Sequence, residues 1–147
     1  MRNVIRIAAL VTLLAVRAQA GDADPKAVHV YKSPTCGCCQ KWVEHLKSRG
    51  FTVDVSNVPD VNPVKKELGV PAGASSCHTA VVEGYFVEGH VPGEDVERLL
   101  AERPKDVVGL AVPGMPVGSP GMEGPNPQKY SVLAVQKDGK LKVFADH

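Results

Sequence analysis

The chain has 147 residues, 44% hydrophobic and 22% charged, which is enough for one domain with its own core and too apolar for a disordered chain. A formal net charge of +1 excludes the strong basic excess with which nucleic-acid binders hold phosphates. The unusual count is four cysteines.

Residues 1–20 read as a secretory signal peptide. Arg2 and Arg6 begin it, Ile7 to Val16 is an apolar run, and Ala18-Gln19-Ala20 is a small-x-small cleavage site before Gly21. The run is too short to span a bilayer comfortably, so no stable membrane anchor is expected after cleavage. The segment carries three of the 17 basic residues and no acid, leaving 14 bases against 16 acids in residues 21–147. In an exported chain an even cysteine count points first to disulfides, and metal binding has to be argued against that expectation.

Residues 21–147 are expected to form a single α/β domain with a core at 27–103. Ala27 to Tyr31 alternates as a strand, and Cys39, Trp42, Val43 and Leu46 then fall on one helical stripe that Gly50 ends. Phe51, Val53 and Val55 predict a second strand. Asn62-Pro63 starts a short helix with Val64 and Leu68 on one face and Gly69 as its stop. Thr79 to Val82 and Tyr85 to Val87 read as a hairpin through Gly84. Pro92 to Arg103 reads as a helix with Val96, Leu99 and Leu100 inward. The order is βαβαββα, a sheet with helices packed on it.

Residues 104–129 are expected to be a Gly/Pro/Met loop, because Gly109 to Pro127 holds five glycines and five prolines in nineteen residues. Such a loop is expected to fold back over the domain. A C-terminal hairpin at 130–145 follows, turning at Asp138-Gly139.

Chemistry concentrates where the first strand meets the first helix, at Cys36-Gly37-Cys38-Cys39. Unpaired amides and the dipole at a helix N-terminus favour thiolate, which is both nucleophile and metal ligand. Cys36 and Cys39 form a C-x-x-C pair of the dithiol-oxidoreductase type. Cys38 has no place in a simple redox couple, where a third thiol invites mispairing. Crowded thiolates suit several soft ions of low coordination number, and Cu(I) is such an ion.

Over roughly Ala27 to Arg103 the chain resembles the thioredoxin and glutaredoxin superfamily. That resemblance implies a thioredoxin-like sheet with helices on both faces, and puts His78 where the superfamily carries a cis-proline, with Cys77 just before it. A thiol and an imidazole thus replace a substrate-presenting residue. The same overlay brings His90, in Glu88-Gly89-His90, to the rim of the site as a second imidazole candidate, with a surface histidine capping the turn before Pro92 at least as weighty a reading. His29 and His45 read as structural or surface residues. Met115 and Met122 are soft thioether candidates in the loop, with packing the weightier reading.

Tyr31 to Cys39 (YKSPTCGCC), Ser76 to Thr79 (SCHT), Glu88 to Pro92 (EGHVP) and Gly109 to Glu123 (GLAVPGMPVGSPGME) resemble the CopG-type family of periplasmic copper-resistance proteins. The resemblance implies a periplasmic protein of copper homeostasis that holds several Cu(I) ions in a cysteine-bridged cluster, with a redox role in copper handling. Its partners are then copper ions and other periplasmic copper-handling proteins, and not nucleic acid. The candidate metal ligands are Cys36, Cys38, Cys39, Cys77, His78 and His90. The residues themselves leave open whether copper turns over or is only sequestered. The alternatives are a thiol-disulfide oxidoreductase using Cys36 and Cys39, and a non-catalytic domain with two structural disulfides.

Overall fold

The computed structural model describes residues 24–147, and residues 1–20, where a signal peptide is expected, lie outside them. In chain order the elements are β1 (Ala27–Lys32), α1 (Gly37–Ser48), β2 (Thr52–Asn57), α2 (Asn62–Glu67), a 3-10 turn (Ala72–Ala74), β3 (Thr79–Val82) and β4 (Tyr85–Glu88). They continue with α3 (Gly93–Glu102), β5 (Val107–Ala111), β6 (Ser131–Gln136) and β7 (Leu141–Asp146).

All seven strands join one sheet in the order β2-β1-β3-β4-β5-β6-β7. β1 runs parallel to β2, and β4 parallel to β5; the other neighbours are antiparallel. Alternation along the strands divides the side chains between two faces. On one face Val28, Val30, Ala80, Val82, Val87 and Leu110 pack against Trp42, Val43 and Leu46 of α1 and Val96 and Leu99 of α3. The opposite face carries Phe86, Ala111 and Val135, covered by Ala74, Leu68 and Val70 at and beyond the end of α2. Helices therefore lie on both faces.

The stripe expected on α1 is fully inside, with Cys39, Trp42, Val43 and Leu46 all 0% exposed. Each large apolar side chain so buried contributes about 1.5–3 kcal/mol. α3 buries Val96 and Leu99 as expected, while Leu100 only packs against the core edge. α2 departs from expectation. Val64 and Leu68 are half-buried, and the residue it buries is Lys65, because a buried carboxylate on β4 awaits its ammonium.

The expected loop at 104–129 requires correction. Its first third contains β5, a strand paired on both sides, to β4 and to β6. Val107 to Ala111 (VVGLA) is a short continuous apolar run, the pattern of a strand buried on both faces. Gly109 does not break it: a Cβ there would lie 2.5 Å from the Phe86 ring, so the close approach of β4 requires glycine. The irregular segment begins only at Val112. The hairpin β6–β7 is present as expected and extends the main sheet.

Candidate metal centre

α1 opens with Cys36 as its N-cap, whose sulfur accepts a hydrogen bond from the Cys39 amide. Cys36 and Cys39 are joined by a disulfide, and Cys38 and Cys77 are free thiols. Cys36 Sγ lies 3.4 Å from Cys38 Sγ, and Cys39 Sγ lies 3.6 Å from Cys77 Sγ. All four sulfurs fall within 4.8 Å of one another. The first three come from one helix start, and the fourth comes from the segment entering β3.

A second group shares Cys77. His78 Nδ1 lies 3.2 Å and His90 Nε2 3.0 Å from Cys77 Sγ, and the three donor atoms also fall within 4.8 Å of one another. Both imidazoles are fully buried. The His78 ring lies against Trp42, tilted by 45° with centroids 4.5 Å apart, and meets the His90 ring edge-on at 5.1 Å. Trp42 is itself fixed by its indole N–H, which donates to the Val91 carbonyl at 2.8 Å.

Burial decides the charge states. His78 is held well below the usual histidine range, first by desolvation and then by the neighbouring His90 and Lys65. Desolvation also lowers His90, against the opposing pull of the Pro120 carbonyl and Glu123. Both rings are therefore neutral at pH 7, the form that ligates metals. Desolvation and the adjacent Cys38 push the Cys77 thiol up to about 11, so a cation is what would stabilise its thiolate. His78 Nε2 is one of two buried side-chain nitrogen atoms without a hydrogen-bond partner among the described residues. Thiolates and neutral imidazoles form a soft to borderline donor set, which fits copper or zinc and not magnesium or calcium.

The segment after β5 folds back over this site. His90 Nδ1 bonds the Pro120 carbonyl at 2.7 Å. Gly121, at φ +85°, sits so close to α1 that a Cβ would lie 2.7 Å from the Cys38 carbonyl. Gly37, Cys38, Lys41, Val117, Met122 and Glu123 line a cavity of about 550 Å³ beside the thiols. Of the two loop methionines, Met122 thus shares the walls of that cavity with Cys38, whereas Met115 is half exposed and outside it.

The histidines assigned structural or surface roles lie away from the sulfurs. His29 bridges Asp54 and Ser56 on β2 at 2.8 and 2.9 Å. His45 accepts a hydrogen bond from the Gly93 amide at the start of α3. Sequence reasoning missed Glu88 and Lys65, a buried ion pair directly beneath the Cys77 segment. The available signal was an isolated acid at the end of an apolar strand.

The family described as "Protein of unknown function, DUF411" matches residues 74–122. No curated protein matches the chain. Two solved structures are similar over most of it. "Copper resistance protein copG- Form 1" has a TM-score of 0.79 at 45% identity, covering 84% of this chain and 98% of that one. "Copper resistance protein copG- Form 2" has a TM-score of 0.78 at 45% identity, covering 82% and 97%. With that identity over nearly the full length of the matched chains, and with a cysteine cluster of metal-binding type, this chain belongs to the CopG-type copper-resistance family.

Proposed function

We propose that this chain is a periplasmic copper-handling protein of thioredoxin-like fold, exported by residues 1–20 and working as a single domain over residues 21–147. Cu(I) is its cargo, held by Cys36, Cys38, Cys39 and Cys77 in a cysteine-bridged site of more than one ion, with His78 and His90 completing the donor set. The observation that carries this reading is the convergence of four sulfurs within 4.8 Å from two separate segments. A single tetrahedral ion has no need of three ligands crowded into four residues, whereas bridging thiolates do.

Redox activity fits the same donors. Oxidation of the Cys36 and Cys39 thiols to their disulfide yields two electrons and two protons, which balances reduction of two Cu(II) to two Cu(I). In the disulfide state Cys77, His78 and His90 are still together, and a thiolate with two imidazoles tolerates Cu(II).

Anaerobic Cu(I) titration of the fully reduced protein, followed by X-ray absorption, tests the reading. The expected result is more than one copper per chain with sulfur scatterers. A limit of one copper, unchanged in Cys38→Ser, would overturn the multinuclear site. The Cys36–Cys39 disulfide favours one second reading, a thiol-disulfide oxidoreductase. That reading requires exchange with a glutathione buffer that survives Cys77→Ser.

A further inference from the structure

We propose that Glu88 is a positioning residue that fixes Cys77 and His78 in the donor set by clamping the chain on both sides of them. The proposal rests on the copper reading above for its consequence, though not for its geometry.

Glu88 ends β4 and is 0% exposed. Its Oε1 accepts from the Ser76 amide at 2.6 Å and pairs with Lys65, and its Oε2 accepts from the Thr79 hydroxyl at 2.6 Å. Lys65 Nζ also donates to Thr79 Oγ1 at 3.0 Å. Ser76 and Thr79 are the residues immediately before and after Cys77-His78. One carboxylate thus ties down both ends of the dipeptide that contributes a thiol and an imidazole. The Gly89 amide adds a third tie, donating to the His78 carbonyl at 3.0 Å. The fit leaves no slack, since a Cβ on Gly89 would lie 2.4 Å from Ser76 Oγ.

Stability alone does not account for this arrangement. A buried ion pair costs its desolvation, and replacing the whole pair with apolar groups is often neutral or stabilising. What an apolar pair cannot supply is an acceptor for the Ser76 amide and the Thr79 hydroxyl. The superfamily resemblance puts a proline at position 78; where proline would stiffen the backbone, hydrogen bonds to Glu88 hold it here.

The test uses the full chain in two states. In the metal-free disulfide form, the rate at which N-ethylmaleimide modifies Cys77 is read by mass spectrometry, with Cys38 as internal reference. In the reduced form, Cu(I) affinity is read by competition with a chromogenic chelator. Lys65→Met/Glu88→Leu removes clamp and charge together and is expected to speed Cys77 modification and weaken Cu(I) binding by about tenfold, the scale at which outer partners tune metal ligands. Lys65→Met/Glu88→Gln keeps an amide oxygen for the Ser76 N–H and is expected to stay within about twofold of wild type in both. The proposal is overturned if the Leu variant behaves as wild type, or if the Gln variant changes as much as the Leu variant. Should either double variant fail to fold, Thr79→Val keeps the ion pair and is expected to shift both readouts in the same direction by about threefold; no shift then overturns the proposal. A wild-type protein that binds no copper overturns the copper reading alone, and the maleimide rates still decide the role of Glu88.

Discussion

His90 and Pro120 are joined by a 2.7 Å hydrogen bond from the ring Nδ1 to the backbone carbonyl. A carbonyl only accepts, so the proton sits on Nδ1, and the Nε2 lone pair faces Cys77 at 3.0 Å. A residue of the returning segment thereby sets the tautomer of a candidate ligand. Gly121 makes this approach feasible, with φ +85° and no room for a Cβ against Cys38 or Trp42. Gly121→Ala is expected to displace the segment, cost about 1–3 kcal/mol in urea unfolding, and release the His90 tautomer. Imidazole ¹⁵N NMR of the metal-free protein reads the tautomer directly, and an unchanged Nδ1–H pattern would contradict the link.

His45 makes stability depend on pH. Its Nε2 accepts the Gly93 amide at 3.0 Å, supplying an N-terminal cap to α3 from a neighbouring helix. Burial lowers its pKa below the ordinary 6.5. Between the two values the unfolded chain binds more protons than the folded one, so stability falls as pH drops below 6.5. Urea midpoints at pH 7.5 and 5.5 should show the loss in wild type, and a smaller loss in His45→Gln.

The disulfide makes a countable prediction. Metal-free protein denatured without reduction should take up two alkyl groups, at Cys38 and Cys77, and four after reduction. Under native conditions Cys77 should be the slower to react at pH 8, since its pKa stands at about 11 and the thiolate is the nucleophile. Peptide mass mapping checks both statements. Finding no free thiol would point instead to a second disulfide.

Trp42 joins the core to the site, its ring packed at a tilt against His78 while its indole N–H donates to the Val91 carbonyl. Trp42→Phe should lose about 1–3 kcal/mol through the stranded Val91 carbonyl, and more through the cavity left beside His78. Denaturant unfolding with an unchanged m-value would place the loss in stability rather than in the character of the transition.

Periodicity carried most of the fold. The α1 stripe, the alternating strands and the Asp138-Gly139 hairpin were legible because burial on one side writes itself as a repeat in the residues. β5 was obscured by its neighbours: VVGLA is a buried strand, yet its glycine reads as part of the Gly/Pro run that follows. Only the Phe86 ring against Gly109 explains that glycine. Lys65 was illegible for a related reason, since a lysine on a short helix reads as solvated until its partner is known. In the candidate site, the thiols and imidazoles were visible as chemistry-bearing residue types. Glu88 and the Pro120 carbonyl were not, because what they do depends on which backbone atoms lie opposite them.

The hairpin β6–β7 bears on the site through the chain that leads into it. The segment that carries Pro120 and Gly121 leaves the sheet after β5 and rejoins it at β6, so both its ends are moored. Mooring removes most of the chain entropy that docking would otherwise have to overcome. A chain cut after residue 129 would keep every residue near the thiols and yet turn a tethered strap into a loose tail. The terminal strands are thus the far mooring of the segment whose Pro120 carbonyl orients His90.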